Sequence, residues 1–304
     1  MISQAPLAVN GPNVSEIVFG TWRLLDGEMK PSTKDVIGQL ELCLELGITT
    51  IDTAEIYGLY TVEAALGDAF KDKPDLRDQF QIISKCGIDV PSEEKESTRI
   101  AHYNATATNL VHCAEKSLQL LNTDRLDVLL VHRPDWLAAA DDTAVGLNQL
   151  IDEGKILHAG VSNYSPQQFG LLNDLVEQAL VTNQIEFSLL HMDALDDGSL
   201  TQCEQKHIRP MAWSPLGGGH LFDDSNETAL RVRQCMTNLR DKYNGAEDDA
   251  LAFAWVMAHP SNPLTILGSN RPERIRSTVQ AAAIELDRQD WYALWEAAQG
   301  HSVP

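Results

Sequence analysis

Four residues of this 304-residue chain are of the types that move a proton onto a reacting oxygen, and three of them stand at the ends of short apolar runs. Asp52 closes the run in Ile51-Asp52-Thr53-Ala54, and Tyr57 comes five residues later. Lys85 follows Ser84 at the end of a second run, and His132 opens His132-Arg133-Pro134-Asp135 at the end of a third. A phenol titrates near 10 in water and is a poor acid at neutral pH. A nearby ammonium stabilises the phenolate and lowers that value, while a carboxylate holds the ammonium in place. A histidine beside the phenol can hydrogen-bond the same oxygen. Together they would protonate a carbonyl oxygen while hydride arrives at its carbon. Taken singly, Lys85 is an ordinary surface residue and His132 a core histidine. The chemistry requires that folding bring all four to one spot.

The apolar pattern supplies elements that could do so. Strands are expected at 17–22, 48–53, 80–86, 126–133, 156–163, 181–187, 208–215 and 263–269. Several are nearly continuous apolar runs, as in parallel strands buried on both faces. Amphipathic helices are expected between them, among others at 33–46, 106–121, 166–179 and 247–259, with Gly47 and Gly154 placed as left-handed caps. Eight strands alternating with helices fit an α/β architecture, a (β/α)8 TIM barrel, with active residues at the C-terminal strand ends. The opening segment reads as an N-terminal hairpin across the barrel bottom. Two segments, 87–103 and 216–246, are too long for plain connections and are expected as functional loops after strands 3 and 7. Nothing resembles a linker, a repeat or a low-complexity tract, so residues 1–304 read as a single domain.

Composition excludes several classes of partner. Twenty-three Lys and Arg against 44 Asp and Glu leave a net charge of −21, which opposes nucleic acid and anionic membrane surfaces. No apolar run approaches the roughly 20 residues that cross a bilayer, and the opening residues lack the basic and apolar parts of a secretory signal. Five scattered cysteines without a C-x-x-C pair disfavour a disulfide framework or zinc site, so a cytoplasmic protein is expected. No cluster has metal-ligand spacing: His102 and His112 are ten residues apart, and no H-x-H ends the first strand. Cys86, beside Lys85, is a thiol open to either inert packing or redox sensitivity.

Eight segments then occur in order: Gly20-Thr21-Trp22, Asp52-Thr53-Ala54-Glu55-Ile56-Tyr57-Gly58, Ser84-Lys85, Leu130-Val131-His132-Arg133-Pro134-Asp135, Gly160-Val161-Ser162-Asn163, Asn183-Gln184, Trp213-Ser214-Pro215-Leu216-Gly217 and Gly268-Ser269-Asn270-Arg271-Pro272-Glu273-Arg274-Ile275. Over nearly its whole length the chain resembles an aldo-keto reductase of a bacterial branch. The resemblance implies NAD(P)H-dependent carbonyl reduction with Asp52, Tyr57, Lys85 and His132 as catalytic tetrad and Tyr57 as proton donor. It also implies that Ser162, Asn163 and Gln184 hold the nicotinamide carboxamide and that Trp213, where many relatives have Tyr, stacks on the ring. The remaining cofactor residues it implies are Thr21, Trp22, Ser214, Leu216, Gly217, Gly218, Gly268, Ser269, Asn270, Arg271, Arg274 and Thr278. Gly217, Gly218 and Gly219 would let backbone approach a pyrophosphate, or serve as a hinge. No G-x-G-x-x-G follows a strand, so the dinucleotide is not held as in a Rossmann fold.

The expected cofactor is NADPH. Arg271, Arg274 and Arg276 lie close together against one acid, Glu273, and in the family the arginine matching Arg274 contacts the 2′-phosphate. Gly268 replaces a common lysine there, and Thr278 a common asparagine. The expected partner is a small-molecule carbonyl substrate, with Trp22 and Trp136 as apolar walls and a monomer favoured. Two other readings stay open: a nucleotide-binding regulatory protein like potassium-channel β-subunits, and a dehydrogenase run toward alcohol oxidation.

Overall fold

A computed structural model describes residues 2–27 and 30–303. The chain opens with an antiparallel hairpin, β1 (Gln4–Pro6) against β2 (Asn13–Ser15). Eight parallel strands then close into a barrel. The first four are β3 (Ile17–Gly20), β4 (Thr50–Asp52), β5 (Gln81–Cys86) and β8 (Leu126–Val131). A short hairpin after β5, β6 (Ile88–Asp89) with β7 (His102–Tyr103), interrupts the alternation. The second four are β9 (Ile156–Ser162), β10 (Asn183–Glu186), β11 (Met211–Trp213) and β12 (Leu264–Leu267), which pairs back onto β3 through Leu267 and Phe19. The expected TIM barrel is the observed one.

Its interior is filled from alternate strands and from below. Val18, Ile83, Val128, Leu130, Met211 and Leu264 form one cluster with Leu7 and Val14 of the hairpin, all fully buried. The hairpin thus plugs the barrel bottom, and only the opposite end is free to carry a site. Outside the strands lie α1 (Thr33–Leu46), α2 (Val62–Asp72), α3 (Ala107–Leu120), α4 (Ala140–Asp152) and α5 (Pro166–Asn173). They are followed by α6 (Ser199–Lys206), α7 (Glu227–Leu239), α8 (Asp248–Met257), α9 (Pro272–Thr278) and α10 (Arg288–Gln299).

Helix α1 shows why its limits are sharp. Ser32 and Asp35 form a reciprocal capping box at its start, and Val36, Leu40 and Cys43 turn inward at helical spacing. Gly47 ends it at φ 87°, a left-handed conformation that costs glycine little.

The structure departs from the sequence expectations in four places. The strands are shorter than the apolar runs: β3 stops at Gly20, leaving Trp22 in a turn, and β11 begins only at Met211, after Pro210, whose nitrogen carries no hydrogen to donate. Helix α5 ends at Asn173 rather than 179, because the Asn173 side chain accepts from Leu180 N (3.0 Å) and Asn148 accepts from Glu177 N (3.0 Å). The 216–246 segment contains α7, whose Ala229, Val232 and Met236 are buried, with Asn226 capping its first turn. The 87–103 segment is pinned by the pairing of Ile88 with Tyr103. Among the described residues no helix is long and apolar enough to cross a membrane, and the five cysteines are free thiols.

Candidate active site

Parallel pairing brings the four residues expected to handle the proton together. β4 lies beside β5 and β5 beside β8, so Asp52, Lys85 and the His132 that follows Val131 sit on three adjacent strand ends. Tyr57 reaches them from the turn after β4. Lys85 Nζ donates to Asp52 Oδ2 (2.8 Å), to Thr53 O (2.8 Å) and to Tyr57 Oη (2.9 Å), so all three ammonium protons have acceptors. The His132 ring lies 6.1 Å from the Tyr57 ring, edge-on, and Trp22 packs edge-on against the other side of Tyr57 at 4.9 Å. His132 Nδ1 is buried without a partner.

Burial decides the electrostatics here. It pushes the Tyr57 phenol above its usual value, and the opposing pull of Lys85 only partly offsets this. The expected lowering by the ammonium is therefore outweighed, because the phenol sits deeper than a strand-end position implies. Tyr57 carries its proton at neutral pH. Burial would discharge Lys85, but the Asp52 and Tyr57 oxygens hold it above its ordinary value. Burial, with the Lys85 and Arg133 charges, drives His132 well below its ordinary value, so its imidazole is neutral.

Behind this cluster, Ser84 Oγ donates to Glu63 Oε1 (2.6 Å), while Glu63 Oε2 has no partner. Burial pushes the Glu63 carboxyl up to about 7. Between roughly pH 4.5 and 7 the folded chain then keeps a proton that the unfolded chain has released, so stability falls as pH rises through that window. Replacing Glu63→Gln should raise stability relative to the parent by about 2 kcal/mol more at pH 8 than at pH 5.5. Denaturant unfolding at the two pH values measures this, and a pH-independent difference would overturn it.

A cleft of about 710 Å³ runs from Tyr57 and His132 across the ends of β9 to β12. Of the residues expected at a cofactor, Trp22, Ser162, Asn163, Gln184, Trp213, Ser214, Leu216, Gly218, Gly268, Ser269, Arg274 and Thr278 line it. Trp213 Nε1 donates to Asn163 Oδ1 (3.0 Å), and Asn163 Nδ2 to Ser162 Oγ (2.7 Å), which fixes the indole beside two amide-compatible groups. Gln184 Nε2 donates to Asp52 Oδ1 (2.7 Å), an unexpected link between the cofactor set and the tetrad.

Four expected residues do not reach the cleft wall. Thr21 is buried and bonds the Asp52 carbonyl through its hydroxyl (3.0 Å). Gly217, at φ 57°, packs so tightly that a Cβ would meet Leu190 at 2.8 Å. Asn270 donates to the Arg23 carbonyl (3.0 Å), and Arg271 begins α9 with its backbone on Ser269 Oγ (3.3 Å). The three-arginine cluster also divides, since Arg276 turns to Glu45 (3.4 Å) and Arg274 alone faces the cleft. Trp136 lies outside the cleft, exposed, edge-on to Tyr103 at 5.8 Å.

Sequence reasoning missed other walls. Arg133, Phe222 and Phe253 line the cleft, as do Glu247, Asp248, Asp249 and Glu273 toward its far end. Arg23 Nη2 reaches Gly218 O (2.9 Å), so the turn after β3 is tied to the glycine loop after β11. Arg133 could have been found, because it directly follows His132; the rest depend on helices swinging over the barrel mouth. Among the described residues no group of three or more His, Cys, Asp or Glu could hold a metal ion.

The chain and its fold have known relatives. The model of the Aldo/keto reductase family matches residues 16–299. The chain is 42% identical over 304 residues to oxidoreductase YdhF of Escherichia coli K12, covering 100% of both chains. It is also 42% identical over 290 residues to a 6-dehydroglucose reductase of Agrobacterium fabrum, covering 95% of this chain and 96% of that one. Among solved structures, the thermostable aldo-keto reductase Tm1743 superposes with a TM-score of 0.80 at 24% identity, over 97% of this chain and 100% of that one. A family match over nearly the whole chain, on a closed barrel with a Tyr–Lys–Asp cluster at its open end, places this oxidoreductase in the aldo/keto reductase family.

Proposed function

We propose that this chain, working as a single (β/α)8 domain, reduces an aldehyde or ketone to an alcohol with NADPH, and that Tyr57 donates the proton. The observation that carries the reading is the Lys85 ammonium within 2.9 Å of the Tyr57 hydroxyl and 2.8 Å of Asp52, at the inner end of the cleft. When bound, the dinucleotide would supply hydride to the carbonyl carbon. The chain's residues fit that group. Trp213 offers an aromatic face, Ser162 and Asn163 offer hydrogen-bonding partners for a planar amide, and Gly218 and Gly219 adopt positive φ on the cleft wall, Gly219 beside open space.

The protein's own part is then proton delivery. A neutral His132 orients the carbonyl oxygen by hydrogen bond, and Tyr57 Oη passes its proton to that oxygen. Lys85 stabilises the phenolate this leaves, and Asp52 with Gln184 holds Lys85 in place. The name of the Agrobacterium relative points to a sugar aldehyde as one substrate to try. Loss of NADPH absorbance with a panel of aldehydes and ketones tests the reading. Tight NADPH binding without turnover of any carbonyl would favour a regulatory nucleotide-binding role.

Preference for NADPH over NADH rests on Arg274. The net charge of −21 opposes an added phosphate, but within a Debye length of about 8 Å near charges dominate distant ones. A guanidinium fork suits phosphate oxygens. Arg274→Ala should therefore raise the Kd of NADPH about 10- to 100-fold and that of NADH less than about 3-fold. Titration of tryptophan fluorescence measures both. Equal wild-type affinities, or an equal loss for both nucleotides, would remove Arg274 from the 2′-phosphate.

A further inference from the structure

Two cations of the cleft, Arg23 and Arg133, are left unused by the proposed proton delivery and cofactor binding, and Arg23 is held by the Gly218 carbonyl (2.9 Å). Arg133 directly follows His132 and lines the same wall. Among the described residues its guanidinium forms no ion pair or side-chain hydrogen bond; its aromatic neighbour is the Trp213 ring, 5.9 Å away. The nearest acid in sequence does not pair with it. Asp135 accepts from Ala105 N (2.9 Å) through one oxygen and from Leu137 N (2.8 Å) through the other. Toward the other end of the cleft Asp248 pairs with Arg240 (2.8 Å) and Asp249 accepts from Ser277 (2.7 Å), and neither Glu247 nor Glu273 pairs with Arg133. In a chain of net charge −21, a half-buried arginine without a carboxylate partner is out of keeping with its surroundings. It is close enough to the reacting groups for its charge to act on both Tyr57 and His132.

From this placement we infer that Arg133 is a specificity-determining residue that binds oxygen acceptors carried by the substrate near its carbonyl. The favoured substrates are then hydroxy- or carboxy-substituted aldehydes and ketones rather than plain alkyl ones. The inference rests on the reductase reading above and extends it to substrate class. A guanidinium presents five N–H donors in a fixed fork, which meets a carboxylate bidentately and can span two vicinal hydroxyls. A plain alkyl chain would leave those donors facing only water and would gain nothing from them.

The test compares chain-matched aldehydes, propanal with glyceraldehyde and butanal with succinic semialdehyde, in the wild type, Arg133→Met and Arg133→Lys. In the wild type, kcat/KM should favour the oxygen-bearing member of each pair. Arg133→Met should raise KM for glyceraldehyde and succinic semialdehyde about 10- to 100-fold, the loss of a charge-assisted hydrogen bond. The change for propanal and butanal should be at least ten times smaller, and Arg133→Lys should recover part of the loss for succinic semialdehyde. The NADPH Kd of each variant separates this effect from damage to the cofactor site or the fold. A larger effect on succinic semialdehyde identifies a carboxylate-bearing substrate, and a larger one on glyceraldehyde a polyol; both support the inference. Equal losses across all four aldehydes, or wild-type preference for the alkyl members, would overturn it. Absence of turnover for all four in an NADPH-binding wild type would instead overturn the reductase reading on which it stands.

Discussion

Tyr57→Phe should reduce carbonyl turnover about 10²- to 10⁴-fold, the usual worth of general acid catalysis, while leaving NADPH affinity nearly unchanged. The substitution removes one oxygen and preserves the ring that packs edge-on against Trp22 at 4.9 Å. Lys85 keeps two of its three acceptors, Asp52 and the Thr53 carbonyl, so its charge stays compensated and the fold should hold. The groups proposed to bind the nucleotide, Ser162, Asn163, Trp213 and Arg274, do not bond the phenol. Single-turnover kinetics beside a binding titration would measure both quantities. A variant retaining most of its kcat would move the proton source away from Tyr57.

Lys85→Met should be nearly as damaging, with a different signature. The ammonium is fully buried and, in the proposed mechanism, offsets the charge that a departing proton leaves on Tyr57. Without it, burial acts on the phenol against only the weaker pull of Arg133 and pushes its titration higher still. The proposed reduction needs the protonated phenol, so the alkaline limb of the kcat/KM profile should move to higher pH while the plateau falls by orders of magnitude. Stability should fall as well. Asp52 keeps only the Gln184 amide as a side-chain donor, and stripping one partner from a buried ion pair costs about 3–5 kcal/mol. Asp52→Asn should also lower the plateau, though less, since the ammonium remains with a weaker anchor, and should move the alkaline limb to lower pH, because the carboxylate charge that raises the Tyr57 titration is gone. pH profiles unchanged in both variants would refute the tuning role of the pair.

What could be read without the structure is local. Helix α1 was legible to the residue, because Ser32, Asp35, the Val36–Leu40–Cys43 spacing and Gly47 all act within a few positions of one another. The barrel was legible because eight apolar runs alternate with helices, and the polar residues ending three of those runs marked Asp52, Lys85 and His132. Helix α7 was not, since its three buried positions stand among polar residues and gain meaning only when α10 packs on them. Neither was the balance at Tyr57, where a neighbouring cation can be guessed from sequence but the depth of burial cannot.

Partner choice was the other matter left to folding. Gln184 meets Asp52 across 132 residues, and Arg276 meets Glu45 across 231, which leaves Arg274 alone of its cluster in the cleft. Periodicity, caps and strand ends are short-range properties, so the amino-acid order by itself determined the architecture and marked the residues proposed to handle the proton. Which polar group satisfies which, and how far water is excluded from it, depends on contacts distant in the chain, and only the closed barrel decided those.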